Sequence, residues 1–299
     1  MRVFVTGATG FVGSAVVAEL IGAGHEVVGL ARSDRAAAAL RAAGAEAHRG
    51  SLDDPGGLAR AADAADAVAH LAFVHDFTDM PAAGVTDLRA VEAIGTALAG
   101  SGRPFLVTSG TAISALGRLI TEADGPAPGL HRTASEQATT ALAERGVRAS
   151  VVRLAPSVHG RGDHAFVPML IEVARKKGVS AYIGDGANRW PGVHRRDAAR
   201  LYRLALDAAP AGGRLHATAE EGVPLRDIAG VIGRHLGVPV TGLTPQEAEG
   251  HFGWLARFVA ADNPTSSALT RELLGWEPRE PGLLADLDDG HYFEDRDAA

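Results

Sequence analysis

The sequence predicts an α/β fold, a doubly wound parallel sheet followed by a smaller C-terminal lobe. Three observations carry this expectation. The chain opens on the apolar run Val3-Phe4-Val5, a glycine-rich turn and a segment with helical apolar spacing. Short strand-like runs then alternate with helical patterns as far as Leu154, which is the rhythm of parallel strands joined by right-handed crossovers. After Ala155 that rhythm loosens into loops holding Gly160, Gly162, Gly184 and Gly186. A chain of 299 residues with 46% apolar content can bury one large core or two fused ones. Residues 1–155 are therefore expected to form the sheet domain and 156–299 the smaller lobe, with some of its strands and helices interleaved with the first.

The elements follow in order. Val12, Val16, Val17, Leu20 and Ile21 recur on one face of the first helix, and Gly24 stops it. A strand over Glu26–Ala31, an alanine-rich helix over Asp34–Ala43 and a short strand over Ala45–His48 come next. Then come a helix near Pro55–Ala64, a strand over Ala67–Ala72, a long helix near Pro81–Ala99 and a strand over Pro104–Ser109. A helix over Thr133–Arg145 leads into the strand Arg148–Leu154. Beyond it, helices are expected near Phe166–Lys177, whose Arg175-Lys176-Lys177 suits a C-terminal dipole end, and near Asp197–Ala208. The acidic tail from Asp286 to Ala299 is expected to fray.

The turn Thr6-Gly7-Ala8-Thr9-Gly10-Phe11-Val12-Gly13 has the strand before it and the helix after it that a Rossmann-type dinucleotide site requires. Gly7 takes the tight turn, Gly10 lets the backbone approach a pyrophosphate, and Gly13 lets the helix pack close to the strand. Free N–H groups along Gly7, Thr9, Gly10, Phe11, Val12 and Gly13, with the helix dipole, face the phosphates. Such a site usually places an acid at the end of the second strand to hold the ribose hydroxyls. Here Ala31 stands there and Arg32 follows, a guanidinium suited to a 2′-phosphate, with Ser33 and Arg35 as helpers. NADP is therefore expected over NAD. Ser51 and Leu52 are expected near the adenine, and Leu71, Ala72 and Phe73 beside the ribose and pyrophosphate.

Composition closes other routes. With no cysteine, disulfides, thiolate catalysis and cysteine metal sites are excluded, and the composition fits a reducing cytosol. No run of 18 apolar residues occurs and no charged leader precedes the first strand, so neither membrane spanning nor export is expected. A net charge of −7 argues against nucleic acid as the main partner. Asp163-His164 and His291 lack metal-ligand spacing, so no metal is expected. Trp190, Phe252, Trp254, Leu255 and Phe258 read first as lobe core and second as the wall of an apolar pocket.

Taken together, the chain resembles the extended short-chain dehydrogenase/reductase family, also called the NAD-dependent epimerase/dehydratase family. Thr6–Gly13 matches its TGxxGxxG, Val68-Ala69-His70-Leu71-Ala72 its fourth-strand ending, and Val107-Thr108-Ser109-Gly110-Thr111 its serine/threonine strand end. Arg153–Gly162 resembles its RPxxVYGPG loop with His159 in place of tyrosine. Gly184-Asp185-Gly186 through Val193-His194 to Asp197 resembles GDG…VHVDD, and Leu273-Leu274-Gly275-Trp276-Glu277-Pro278 resembles LGWxP. The resemblance implies a homodimer through two helices per subunit, those near 81–99 and 133–145.

The departure is at the chemistry. Aligning the family's YxxSK on Ser135 puts Arg132 in place of the acid tyrosine and Glu136 in place of the lysine, so the chain resembles the family's atypical branch. Arginine stabilises an oxyanion but cannot deliver a proton as tyrosine does. The bland reading is an exposed i,i+4 ion pair of Arg132 with Glu136. The resemblance puts Ser109 and Thr111 where a hydroxyl holds the substrate oxygen. Among the 12 histidines, His131, just before Arg132, is the first choice as acid, and His159 the second, since imidazole titrates near neutral pH; His194 and His164 rank below them. The leading function is an NADP-dependent oxidoreductase, a carbonyl reductase or alcohol dehydrogenase on a small, fairly apolar molecule. The alternatives are an epimerase or dehydratase with no net redox, or a catalytically silent NADP-binding regulatory protein.

Overall fold

The computed structural model describes residues 1–74, 79–114 and 117–294. From the N-terminus, β1 (Arg2–Thr6), α1 (Phe11–Gly22), β2 (Glu26–Ala31), α2 (Asp34–Ala42), β3 (Glu46–Arg49) and α3 (Pro55–Asp63) form the first winding. The second comprises β4 (Ala67–His70), α4 (Met80–Leu98), β5 (Pro104–Gly110), α5 (Thr133–Ala141) and β6 (Arg148–Leu154). There follow β7 (Ser157–His159), α6 (Phe166–Lys177), β8 (Ser180–Ile183), β9 (Arg189–His194), α7 (Arg195–Ala208) and β10 (Arg214–Ala217). The chain ends with β11 (Glu220–Pro224), α8 (Leu225–Leu236), β12 (Val240–Leu243), α9 (Pro245–Phe252), α10 (Ala256–Val259), α11 (Ala268–Leu274) and α12 (Leu283–Asp288).

Seven strands form one parallel sheet in the order β3-β2-β1-β4-β5-β6-β10. The winding reverses between β1 and β4, which opens a crevice beyond their carboxyl ends. Strand residues alternate between two cores. Val3, Val5, Ala67, Ala69 and Leu106 join α1, α2 and α7 on one face, while Phe4, Val68, Phe105 and Val107 join α3 and α4 on the other. Both faces are covered, which is why the strands read as continuous apolar runs. By the same parity Thr6, His70, Ser109 and Arg153 point to the face of α4 and α5, whereas Thr108 points the other way and bonds Tyr202 Oη at 2.6 Å.

Several boundaries differ from the sequence expectation. β4 stops at His70 rather than Ala72: the N–H of Leu71 makes the last ladder bond, to Thr6 O, and that of Ala72 donates instead to the side-chain Thr6 Oγ1 at 3.1 Å, which turns the chain out of the sheet. The helix expected to reach Arg145 is α-helical only to Ala141. Its last turn tightens to a 3₁₀ helix, and Gly146 at φ +69° ends it.

The second lobe is built on the sheet β7-β9-β11 and the pair β8-β12. Trp190 stacks on Phe166 at 3.7 Å between ring centroids and is buried with Phe252 and Leu255, so these three belong to the lobe's core; Phe258 packs against it and Trp254 stays exposed. The fraying expected from Asp286 onward is corrected by the structure as far as Glu294. Leu283 and Leu287 of α12 are fully buried, and Tyr292 donates to Asp163 Oδ2 at 3.1 Å. Apolar anchors spaced four apart outweigh the repulsion among the tail's acids. Residues 295–299 lie outside the described part.

Candidate active site

The glycine turn is shaped for a phosphate chain. Gly7 sits at φ +66°, and a Cβ there would lie 2.7 Å from Ala72 N. A Cβ on Gly13 would lie 2.0 Å from Gly7 O, so what this glycine lets the helix approach is the loop rather than the strand. A Cβ on Gly10 would meet only Gly7 O, at 3.1 Å. Gly10 is also the N-cap of α1 with no side chain capping the first turn, so an anion has that helix end to itself. Thr9 beside it is exposed, and Phe11 and Val12 open the helix half-buried. At the end of β2, Ala31 is buried, and Arg32, Ser33 and Arg35 are exposed. Ser33 caps α2, its Oγ accepting from Ala36 N at 3.1 Å, which leaves its own proton to donate outward. Ser51 is occupied in a local turn with Asp53, and Leu52 packs against the α3/α4 core. The glycine turn fits a dinucleotide's pyrophosphate.

On the α4/α5 face, a charge network lies at the ends of β1 and β4. Thr6 Oγ1 and His70 Nδ1 are 2.8 Å apart, His70 Nε2 lies 3.3 Å from Asp87 Oδ1, and Arg132 Nη2 donates to the same oxygen at 3.2 Å. The Arg132 guanidinium also covers the Phe73 ring at 4.3 Å, a cation–π contact, and the His131 ring lies 5.6 Å from Phe73. Burial by itself raises the Asp87 carboxyl, but the charges of Arg132 and His70 overcome it and hold the group well below the usual carboxylate range. The stability this contributes is present above the ordinary aspartate value near pH 4 and is lost as pH falls through the depressed one. Asp87→Asn is therefore expected to be less stable than wild type at pH 7, with the gap narrowing at pH 3. Urea unfolding at both pH values checks this, and a gap independent of pH would count against it.

Glu136 does not pair with Arg132 as the i,i+4 spacing suggested. It faces inward and takes a bidentate pair from Arg153, Nε to Oε1 at 3.0 Å and Nη2 to Oε2 at 2.7 Å, with both side chains buried. Arg153 Nη1 donates further to Asp124 O at 2.8 Å. Ser109 Oγ is buried with no hydrogen-bond partner among the described residues, and so is Arg132 Nε. Thr111 is committed elsewhere, donating to Asn263 Oδ1 at 2.8 Å. His159 is fully buried in the second lobe, its Nδ1 2.9 Å from Asp286 Oδ2 and its ring edge-on to His194. No contact among the described residues joins it to Ser109 or Arg132. Burial, and then His159, lower the His194 pKa, and its Nδ1 accepts from Arg196 N.

The match to known proteins decides what this geometry belongs to. Residues 3–217 fit the model of the NAD dependent epimerase/dehydratase family. The chain belongs to that family. An uncharacterised protein of Schizosaccharomyces pombe is 52% identical over 98% of this chain and the whole of that one, and an uncharacterised protein of Saccharomyces cerevisiae is 46% identical over 96% and 98%. A 2-alkyl-3-oxoalkanoate reductase of Stenotrophomonas maltophilia is 30% identical over 80% of this chain and 77% of that protein. In fold, the dTDP-glucose 4,6-dehydratase DesIV of Streptomyces venezuelae, solved with NAD, superposes at a TM-score of 0.78 and 22% identity, covering 99% and 98%. The UDP-glucose 4-epimerase of Thermotoga maritima gives 0.75 at 20% identity, covering 98% of each. This is an epimerase/dehydratase-family, NAD(P)-binding enzyme.

Within this family member, sequence reasoning missed Asp87, His70 and Arg153. One signal was legible: Asp87 is a lone carboxylate in the buried α4 stripe Ala83, Ala90, Val91, Ile94 and Leu98, and a buried carboxylate needs a cation. For Arg153 the residue type alone gives no sign of its partner.

Proposed function

We propose that this enzyme is an NADP-dependent carbonyl reductase or alcohol dehydrogenase acting on a small, fairly apolar molecule. The observation that supports it most is a set of buried polar atoms on the α4/α5 side with no hydrogen-bond partner among the described residues, Ser109 Oγ and Arg132 Nε together with Asp87 Oδ2 and Ser135 Oγ. Buried polar atoms are normally paired, and a carbonyl oxygen would accept from the two donors Ser109 Oγ and Arg132 Nε. The 30% identical relative named as a reductase of a 3-oxo acid supports the same reaction class.

In this reading the Gly7–Gly13 turn holds the coenzyme's pyrophosphate, and Arg32 with Ser33 holds its 2′-phosphate. A nicotinamide held there would supply the hydride for reduction of a carbonyl. Ser109 orients the carbonyl oxygen, the Arg132 guanidinium stabilises the charge that develops on it, and His131 returns the proton to the resulting alkoxide. Asp87 and Phe73 hold Arg132 in place, and Glu136 is silent in proton transfer because Arg153 neutralises it.

The test follows NADPH absorbance across a panel of aldehydes and ketones. Net oxidation with a carbonyl substrate is expected, with NADPH bound at least tenfold more tightly than NADH. Arg32→Ala should erase most of that preference while leaving NADH affinity within about threefold, since roughly tenfold corresponds to one phosphate contact of about 1.4 kcal/mol. Product formation without net coenzyme change would make this an epimerase or dehydratase instead. Tight coenzyme binding without chemistry would make it a regulatory binder.

A further inference from the structure

Arg195 opens α7, and its guanidinium is held across the first residue of α1. Its Cζ lies 4.6 Å above the Phe11 ring, Nη2 donates to Ser14 Oγ at 2.8 Å, and Nη1 donates to Arg161 O at 3.1 Å. His164 meets the same ring edge-on at 6.0 Å. The loop that carries Arg161 and His164 packs closely here, since a Cβ on Gly160 would lie 3.2 Å from Arg195 Cγ. A flexible surface arginine would lose rotamer freedom for such an arrangement, so these contacts place the charge rather than merely tolerate it.

Among the described residues no carboxylate lies within ion-pair distance of Arg195. Arg196 is adjacent, though 3.8 Å from Glu280, and α7 carries Asp197 in its first turn and a His194 cap, so the bare positive pole at this spot is that of α1, which has neither a side-chain cap nor an acid in its first turn. Burial, and then the Arg196 charge, lower the Arg195 pKa. A half-buried guanidinium beside the uncapped N-terminus of α1 is a natural partner for an anion, and Phe11 beneath it opens the phosphate-facing turn of α1.

We propose that Arg195 is a pyrophosphate ligand of the coenzyme contributed from outside the N-terminal windings, so that the dinucleotide is gripped between the glycine turn and the start of α7. This rests on the coenzyme-binding reading above and on no assumption about the reaction. On binding, the guanidinium exchanges its bond to Ser14 Oγ for a charge-assisted bond to a pyrophosphate oxygen, and Phe11 keeps it oriented. Arg32 would then set the choice between NADP and NAD, while Arg195 would raise affinity for both.

The test is isothermal titration of the intact protein with NADPH, NADH and adenosine 2′-monophosphate, for wild type, Arg195→Ala and Arg195→Lys. NADPH and NADH should each weaken by about tenfold or more in Arg195→Ala and by less in Arg195→Lys, with their ratio unchanged. Adenosine 2′-monophosphate, which has no pyrophosphate, should bind alike in all three. Both coenzymes binding within twofold of wild type in Arg195→Ala would overturn the proposal. So would an equal loss for adenosine 2′-monophosphate, which marks general loosening of the site. Wild type taking up neither coenzyme would instead defeat the coenzyme reading itself. Arg195→Lys keeps the packing stem and the charge, so the comparison survives if the alanine variant folds poorly.

Discussion

Glu136→Leu is expected to cost about 3–5 kcal/mol of folding stability, because it leaves the fully buried Arg153 guanidinium without its carboxylate. The physical asymmetry lies in desolvation. Two charges removed from water are tolerable while they neutralise each other, and a single one is not. Arg153→Met should cost a similar amount from the other side, since Glu136 then stays buried without a cation. The double variant Glu136→Leu/Arg153→Met should recover most of the loss, because an apolar pair of similar volume carries no desolvation penalty. Asp124 O, which also accepts from Arg153, would keep part of it from recovering. Chemical denaturation of the four proteins reads this as a coupling energy. Single variants within about 1 kcal/mol of wild type would show the pair to be hydrated and the argument mistaken.

Arg132→Gln should lower kcat with a carbonyl substrate by roughly 10²–10³, the size expected for loss of a donor aimed at a developing oxyanion. Glutamine keeps hydrogen-bonding capacity but has no charge to offer in the transition state. Coenzyme affinity should change little, because no part of the glycine turn contacts this side chain among the described residues. Arg132 also balances Asp87, so the same change loosens the network with His70. Placing Arg132→Gln in the Asp87→Asn background separates the two effects: the stability loss should shrink while the turnover loss persists. Arg132→Lys, which keeps the charge but not the planar fork, should recover part of kcat. Turnover within threefold of wild type in Arg132→Gln would remove Arg132 from the chemistry and leave it a structural partner of Asp87.

Both predictions turn on residues whose types were legible early and whose partners were not. Arg132 and Glu136 stand out in the sequence because they occupy positions where the family resemblance leads one to expect tyrosine and lysine. Their four-residue spacing suggested that they pair with each other. In the structure Arg132 reaches Asp87, 45 positions away, and Glu136 reaches Arg153, 17 positions away. A helix presents residues i and i+4 on one face only when both point to the same environment. Here Glu136 is turned onto the sheet by β6, and Arg132 stands before the first turn of α5. Ser109 was legible as a strand-end hydroxyl, and strand parity puts it on the side where Arg132 lies. His159 was equally legible, yet the fold places it in the second lobe against Asp286, 127 positions downstream.

By itself the sequence determined the local backbone and the kind of ligand it accepts. The run Val3–Val5, the spacing of Gly7, Gly10 and Gly13, and the alternation of strands with helices each act over a few residues, where steric and hydrogen-bond rules leave little choice. Tertiary structure alone decided which charges meet. Burial of a charge is settled by what lies across the sheet or in the neighbouring lobe, and a carboxylate in a helical stripe says only that some cation must come. That Arg132 answers Asp87, that Arg153 answers Glu136, and that Arg195 comes to stand over Phe11 follow from packing distances that no short stretch of chain encodes.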